Sequence, residues 1–181
     1  MGIETEIKVK IENVADFCGR LETLGANPTS RRHFEDNCLL DFPDQKLQSE
    51  HCLLRVRFTG NQSCLTFKGA PRPEGIFKTR EELETVVEDG SILLQILKRL
   101  GMHAGFRYQK YRREFVLDEV HVAVDETPIG NYVEFEGSEE GIRSLARRMG
   151  IPESQFLRLS YYSLYLEFCQ IGGIAPGSMI F

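Results

Sequence analysis

Near the start of the chain, Glu4, Glu6 and Lys8 stand two residues apart. In a β-strand that spacing turns all three side chains to one face. The same file of charges recurs downstream at Arg55 and Arg57, Lys68, Arg80 and Glu82, Lys110 and Arg112, Asp125, and Glu134 and Glu136. Apolar residues take the opposite faces: Ile7 and Val9, Leu54 and Val56, Val122 and Val124, Val133 and Phe135. One charged strand face is ordinary in water. Many of them together suggest a barrel with its charges turned inward and its apolar outside covered by helices. A charged interior is costly unless the charges pair or neutralise a ligand.

The residue types narrow that ligand. Arginine offers a planar fork to phosphate oxygens and lysine a compact positive charge. The inward cations are Lys8, Arg55, Arg57, Lys68, Arg80, Lys110 and Arg112. The inward acids, Glu4, Glu6, Glu82, Asp125, Glu134 and Glu136, repel a polyanion directly. They can hold Mg²⁺ or Mn²⁺, which bridges to phosphate oxygens. A carboxylate substrate would use the cations and leave the acids without a function. Both sets together point to a polyphosphate bound with divalent metal.

Elements to position these files are legible along the chain. Gly2–Ile11 alternates with period 2 and is expected to be a strand. Asn13 reads as the cap of a helix carrying Val14, Phe17, Leu21 and Leu24, stopped by Gly25. The polar stretch 27–50 is expected to hold one short strand near Asn37–Asp41. Cys52–Thr59 and Ser63–Lys68 form a hairpin about Gly60-Asn61-Gln62. Phe77–Val87 reads as a strand by alternation, and Ser91 as the cap of a helix ending at Gly101. Strands follow at Phe106–Leu117, Val120–Asp125 and Tyr132–Gly137, the first two joined at Asp118-Glu119. Ser138–Met149 is an amphipathic helix, a short helix starts at Pro152, and Ser160–Phe168 is helical. No internal repeat or domain boundary interrupts them. Residues 1–170 are expected to be one domain, with 171–181 a Gly-rich tail that fits no element.

Composition removes several function classes. The chain has 181 residues, 41% hydrophobic, and a net charge of −5, which gives no reason to expect nucleic acid. No apolar run approaches a membrane span, and charged residues from Glu4 onward leave no room for a secretory leader. Five cysteines without a CxxC pair argue against a zinc site or disulfide framework and for a reducing cytoplasm. The four histidines lack ligand spacing. Tyr161, Tyr162 and Tyr165 read as packing residues.

Taken in order, the motifs resemble those of the CYTH superfamily, the triphosphate tunnel metalloenzymes. Glu4-x-Glu6-x-Lys8 matches its ExExK signature, followed by LRVR (Arg55, Arg57), FKG (Lys68), the Arg80/Glu82 strand, KYR (Lys110, Arg112), VDE (Asp125) and EFE (Glu134, Glu136). SYYSLY from Ser160 is similar to its closing SY motif, so the resemblance covers residues 1–168. It implies an α+β fold: a closed eight-stranded antiparallel barrel with helices outside, open at both ends, holding a triphosphate. It assigns catalysis to Glu4, Glu6 and Lys8, and metal binding to Glu4, Glu6, Asp125, Glu134 and Glu136. Phosphate contacts fall to Lys8, Arg55, Arg57, Lys68, Lys110 and Arg112. Arg80 is added as a phosphate contact and Glu82 as a supporting residue that pairs across the lining. The chain departs from the pattern at Asp36-Asn37-Cys38, where an aromatic is usual. Its last helix carries no basic residue, Arg158 preceding it.

The resemblance leaves the reaction divided. Hydrolysis of inorganic, thiamine or nucleoside triphosphate leads, because tandem Arg55/Arg57 and Glu134/Glu136 look like the fuller clamp of triphosphatases. Cyclisation of ATP, as in class IV adenylyl cyclases, is second and is favoured by the compact length. A polyphosphate-binding module without turnover is third. Mg²⁺ or Mn²⁺ is the implied cofactor and a small-molecule triphosphate the partner, without nucleic acid or membrane. A homodimer is compatible with the sequence.

Overall fold

The computed structural model describes residues 2–181. Eight antiparallel strands close into a barrel: β1 (Gly2–Ile11), β2 (Asn27–Asp41), β3 (Leu53–Thr59), β4 (Gln62–Lys68), β5 (Lys78–Val87), β6 (His103–Leu117), β7 (Val120–Thr127) and β8 (Gly130–Glu136). Round the wall they run β1-β5-β4-β3-β2-β6-β7-β8 and back to β1. The helices are α1 (Val14–Thr23), α2 (Lys46–Ser49), α3 (Gly90–Arg99), α4 (Glu139–Arg148) and α5 (Tyr161–Gly172). The expected closed eight-stranded α+β barrel is therefore the fold observed.

Period-2 alternation decides what each face does. Ile7, Val9, Val122, Val124, Val133 and Phe135 point outward and are buried under Phe17 and Leu21 of α1, Ile142 and Leu145 of α4, and Met149 at its C-cap. Val56, fully buried, packs outward with Leu40 and Met102 beneath Leu93, Leu94 and Leu97 of α3. The core thus lies outside the barrel, between wall and helices, and the inside is left for charge. A third cluster at one end joins Phe106, Tyr108, Tyr132 and Met179 to Tyr161, Leu164 and Tyr165 of α5.

Several boundaries differ from expectation. β2 runs the full fifteen residues Asn27–Asp41 rather than a short piece near its end. Register shifts on its β6 side between Pro28 and His33 disrupt the alternation that marks a strand. The α3 cap is Asp89, whose carboxylate accepts the Ile92 N–H at 2.9 Å, so Ser91 lies inside the helix. Gly90 then sits where a Cβ would come 2.6 Å from Ser63 Oγ, which lets α3 lie directly on the β3–β4 hairpin. The segment after Pro152 is a single 3₁₀ turn, Glu153–Gln155.

The tail is part of the wall. Met179 N–H donates to Arg107 O at 3.0 Å, and Gln109 N–H donates to Met179 O at 2.9 Å, extending β6 where β7 no longer reaches it. Met179 is 1% exposed, and the Phe181 ring packs at a tilt against Tyr111.

Candidate functional site

Twelve of the thirteen expected residues line one cavity of about 310 Å³ inside the barrel: Glu4, Glu6, Lys8, Arg55, Arg57, Lys68, Arg80, Glu82, Lys110, Arg112, Glu134 and Glu136. Six strands, β1, β3, β4, β5, β6 and β8, supply these residues, and antiparallel pairing sets neighbouring files side by side. Glu4 is paired with Arg80, Lys8 with Glu134, and Lys68 with Glu82.

The thirteenth residue is placed differently. Asp125 is fully buried behind the lining. Its oxygens accept from Lys110 Nζ at 3.0 Å and from Arg112 Nε and a second guanidinium nitrogen, both at 2.7 Å. The Tyr161 hydroxyl donates to it as well. With its oxygens so engaged, Asp125 aims cations rather than facing the cavity with Glu4 and Glu6.

Ion pairs organise the rest. Lys68 Nζ lies 2.7 Å from Glu4 and 3.0 Å from Glu82, and Arg80 Nε 3.3 Å from Glu4. Glu6 sits between Lys78 at 3.3 Å and Lys8 at 3.4 Å. Lys8 also meets Glu134 at 3.0 Å, and Glu134 accepts from Arg112. Burial alone would raise the Glu6 carboxyl, but Lys8 and Lys78 outweigh it and hold it at about 2. Burial likewise disfavours the Lys8 ammonium, yet Glu134 and Glu6 push its pKa up. Both groups remain charged at neutral pH.

Glu4 and Glu136 behave in the opposite way. Burial, then the charge of Glu6, raises Glu4 despite its contact with Lys68. Burial, then the charge of Glu4, raises Glu136 to about 7. Glu136 has no ion-pair partner among the described residues, and no three described carboxylates, histidines or cysteines already form a metal cage. Crowded, under-neutralised carboxylate oxygens are the donors a hard divalent cation requires. The oxygen-rich donor set of the lining is thus of the chemical kind that fits the implied metal.

Four residues in the arrangement carried no expectation as ligands. Lys78 stands in the same file as Arg80 and Glu82, so its period was readable. Burial and neighbouring Lys8 lower it to about 8. Glu35, 2% exposed, meets Lys110 and Arg57 at 3.4 Å each, but the irregular start of β2 hid its file. Tyr108 accepts from Arg55 at 3.5 Å. Tyr161, expected only to pack, sits 5.3 Å below Lys8 and 5.1 Å below Lys110 by ring centroid.

A family model described as CYTH domain matches residues 2–150. The chain belongs to the CYTH domain family. A Methanocaldococcus jannaschii protein, provisionally named an adenylate cyclase, is 27% identical over 90% of this chain and 98% of its own. A solved Vibrio parahaemolyticus structure with the same provisional name is 19% identical, covers 93% of this chain and 98% of its own, and superposes with a TM-score of 0.76. A Hippeastrum protein, provisionally named an adenylyl cyclase and described as having a dominant triphosphatase activity, is 16% identical. It covers 96% of this chain and 97% of its own, with a TM-score of 0.66. The last two likenesses bear on the fold alone. No helix of the chain is long and apolar enough to cross a membrane.

Proposed function

We propose that this CYTH protein binds a triphosphate along its tunnel with Mg²⁺ or Mn²⁺ and hydrolyses it. The observation that carries the reading is the double lining: a continuous set of cations, plus carboxylates that lack enough positive charge of their own. Lys8, Arg55, Arg57, Lys68, Arg80, Lys110 and Arg112 take the phosphate oxygens. Glu4, Glu6, Glu134 and Glu136 hold the metal, which when bound supplies charge neutralisation and a more acidic water. Glu82 supports Lys68, and Asp125 with Tyr161 fixes Lys110 and Arg112.

Phosphoryl transfer depends chiefly on positioning and electrostatic stabilisation. The lining exchanges partners to provide both. Lys68 and Lys8, held by Glu4 and Glu134, turn to phosphate oxygens when substrate enters. The carboxylates so released become available as oxygen donors. Because its pKa is raised, Lys8 serves as a fixed positive charge rather than a proton donor. In hydrolysis, water attacks the terminal phosphorus in line, the bond to the bridging oxygen breaks, the diphosphate part of the chain leaves and the attacked phosphorus becomes orthophosphate.

A second reading, cyclisation of ATP, is favoured by the provisional name of the M. jannaschii relative. There a ribose hydroxyl attacks the α-phosphorus and pyrophosphate leaves. Product analysis with inorganic triphosphate, thiamine triphosphate and ATP, in Mg²⁺ and in Mn²⁺, separates them. The reading expects orthophosphate. Pyrophosphate with cyclic AMP would replace it by the second, and no product from any substrate would reduce the protein to a binder.

A further inference from the structure

The helix that follows β5 is apolar on more than the side it buries. Leu93, Leu94 and Leu97 of α3 pack onto Leu40 and Val56 of the barrel wall. One flank further round, Ile92, Ile96 and Leu100 recur every fourth residue and stand 52%, 51% and 69% exposed. A surface helix seats itself on its fold with a single apolar stripe, which the three buried leucines already supply. A second row of large aliphatic side chains left in water marks a contact surface.

Charge says what the flank meets. Glu88 and Asp89 precede the helix, and Lys98 and Arg99 close it. Asp89 is committed to the cap, where it accepts the Ile92 N–H at 2.9 Å. Glu88, Lys98 and Arg99 are exposed. The surface ion pairs are made elsewhere, by Arg32 with Glu126, Arg107 with Asp36, Arg143 with Glu153 and Arg148 with Asp118. Among the described residues, none pairs with Glu88, Lys98 or Arg99. The flank is thus acidic at one end, apolar in the middle and basic at the other. Turned end for end, such a face complements itself, which is what a two-fold contact requires. An anionic membrane, or a partner of one sign, would be repelled at one end.

We infer that α3 is the contact face of a symmetric dimer of this chain. Two copies packed antiparallel about an axis level with Leu94 set Ile92 level with Ile96 of the second copy, twice over. The same register brings Arg99 to Glu88 and Asp89 of the second copy and opposes the two helix dipoles. Ten residues of helix give a contact about 15 Å long, at the small end of specific interfaces, so the dimer exchanges with monomer. It does not depend on what the tunnel binds.

The test is sedimentation equilibrium of the intact protein from about 2 to about 200 µM, the span over which so small an interface dissociates. A monomer–dimer equilibrium is expected. Ile96→Glu, at a half-exposed position, is expected to weaken it by about tenfold or more, with Ile96→Gln in its place should the glutamate variant not fold. Ile171→Glu alters an 88% exposed isoleucine on α5 and is expected to leave the equilibrium unchanged. Glu88→Arg and Arg99→Glu are each expected to weaken the dimer by about threefold, and the double variant to restore it. Monomer at every concentration would overturn the inference. So would a dimer that survives the Ile96 variants, one lost to Ile171→Glu, or a double charge variant no better than its parents.

Discussion

The two ends of the tunnel are built on opposite electrostatic terms. At the α5 end, Tyr161 closes over Lys8 and Lys110, and the acids there, Asp125, Glu35 and Glu134, are each held by two or more cations. At the other end, Glu4 is held by Lys68 and Arg80, Glu82 shares that same Lys68, and Glu136 has no ion-pair partner among the described residues. Charges deep in a fold persist only when paired, because desolvation otherwise exceeds their attraction. The surplus negative charge therefore sits where a metal ion or water can reach it. One end is neutralised by the protein's own cations; on the proposed function, the other is where a metal cation would bind.

Neutralising in turn two acids of the same β1 file, Glu6 with its lowered pKa and Glu4 with its raised one, should separate the two environments. Glu6→Gln leaves Lys8 and Lys78 short of a buried partner and should cost about 3–5 kcal/mol of folding stability. Glu4→Gln removes one of several crowded carboxylates and should leave the metal-free fold as stable as before, or more so. Turnover should fall by about 10²-fold or more in both, equivalent to about 2.7 kcal/mol of transition-state stabilisation. Urea unfolding in EDTA beside steady-state rates reads both effects. Equal stability losses for the two variants would erase the distinction between the two environments.

Tyr161→Phe probes the neutralised end alone. It removes a hydrogen bond to the buried Asp125 carboxylate, a contact worth about 1.5–3 kcal/mol. Stability should drop by that order and substrate affinity should weaken as Lys110 and Arg112 lose their fixed aim. The metal concentration at half-maximal rate should not move. A shifted metal requirement would show that Asp125 reaches the ion after all.

A smaller effect should appear with pH. Glu136 is raised to about 7 from an ordinary 4.5, and Glu4 is raised with it. The folded protein therefore holds these protons more tightly than the unfolded chain does. The stability so gained is full below pH 4.5 and is lost as pH rises toward 7. In EDTA the melting temperature should fall across that window. Mg²⁺ should reduce the fall, since the ion stabilises the ionised pair, and Glu136→Gln should flatten it. A slope indifferent to both would place the proton uptake elsewhere.

Much of this was legible in the sequence because a barrel wall converts period 2 into inside and outside. Arg55 and Arg57 face in and Val56 faces out, as their spacing requires. Reading failed where the period is broken or where function depends on depth. Bulges at the start of β2 concealed a fifteen-residue strand and with it Glu35. Asp125 shares the inward face with Glu134, yet lies behind the lining because Arg112 stands between it and the cavity, a distinction that alternation cannot express. Tyr161 gave only an apolar signal, since the acid it bonds is 36 residues away.

The most direct test of the account is thermal unfolding with phosphate chains of different length, with and without Mg²⁺. A tunnel lined along its length by cations should read the chain as a unit. Inorganic triphosphate with Mg²⁺ at about 100 times its dissociation constant should stabilise the fold by about 2.7 kcal/mol. Orthophosphate at the same concentration should shift the melting temperature far less, and omission of Mg²⁺ should cut the triphosphate effect. Equal shifts from triphosphate and orthophosphate, unaffected by Mg²⁺, would contradict a metal-assisted triphosphate tunnel.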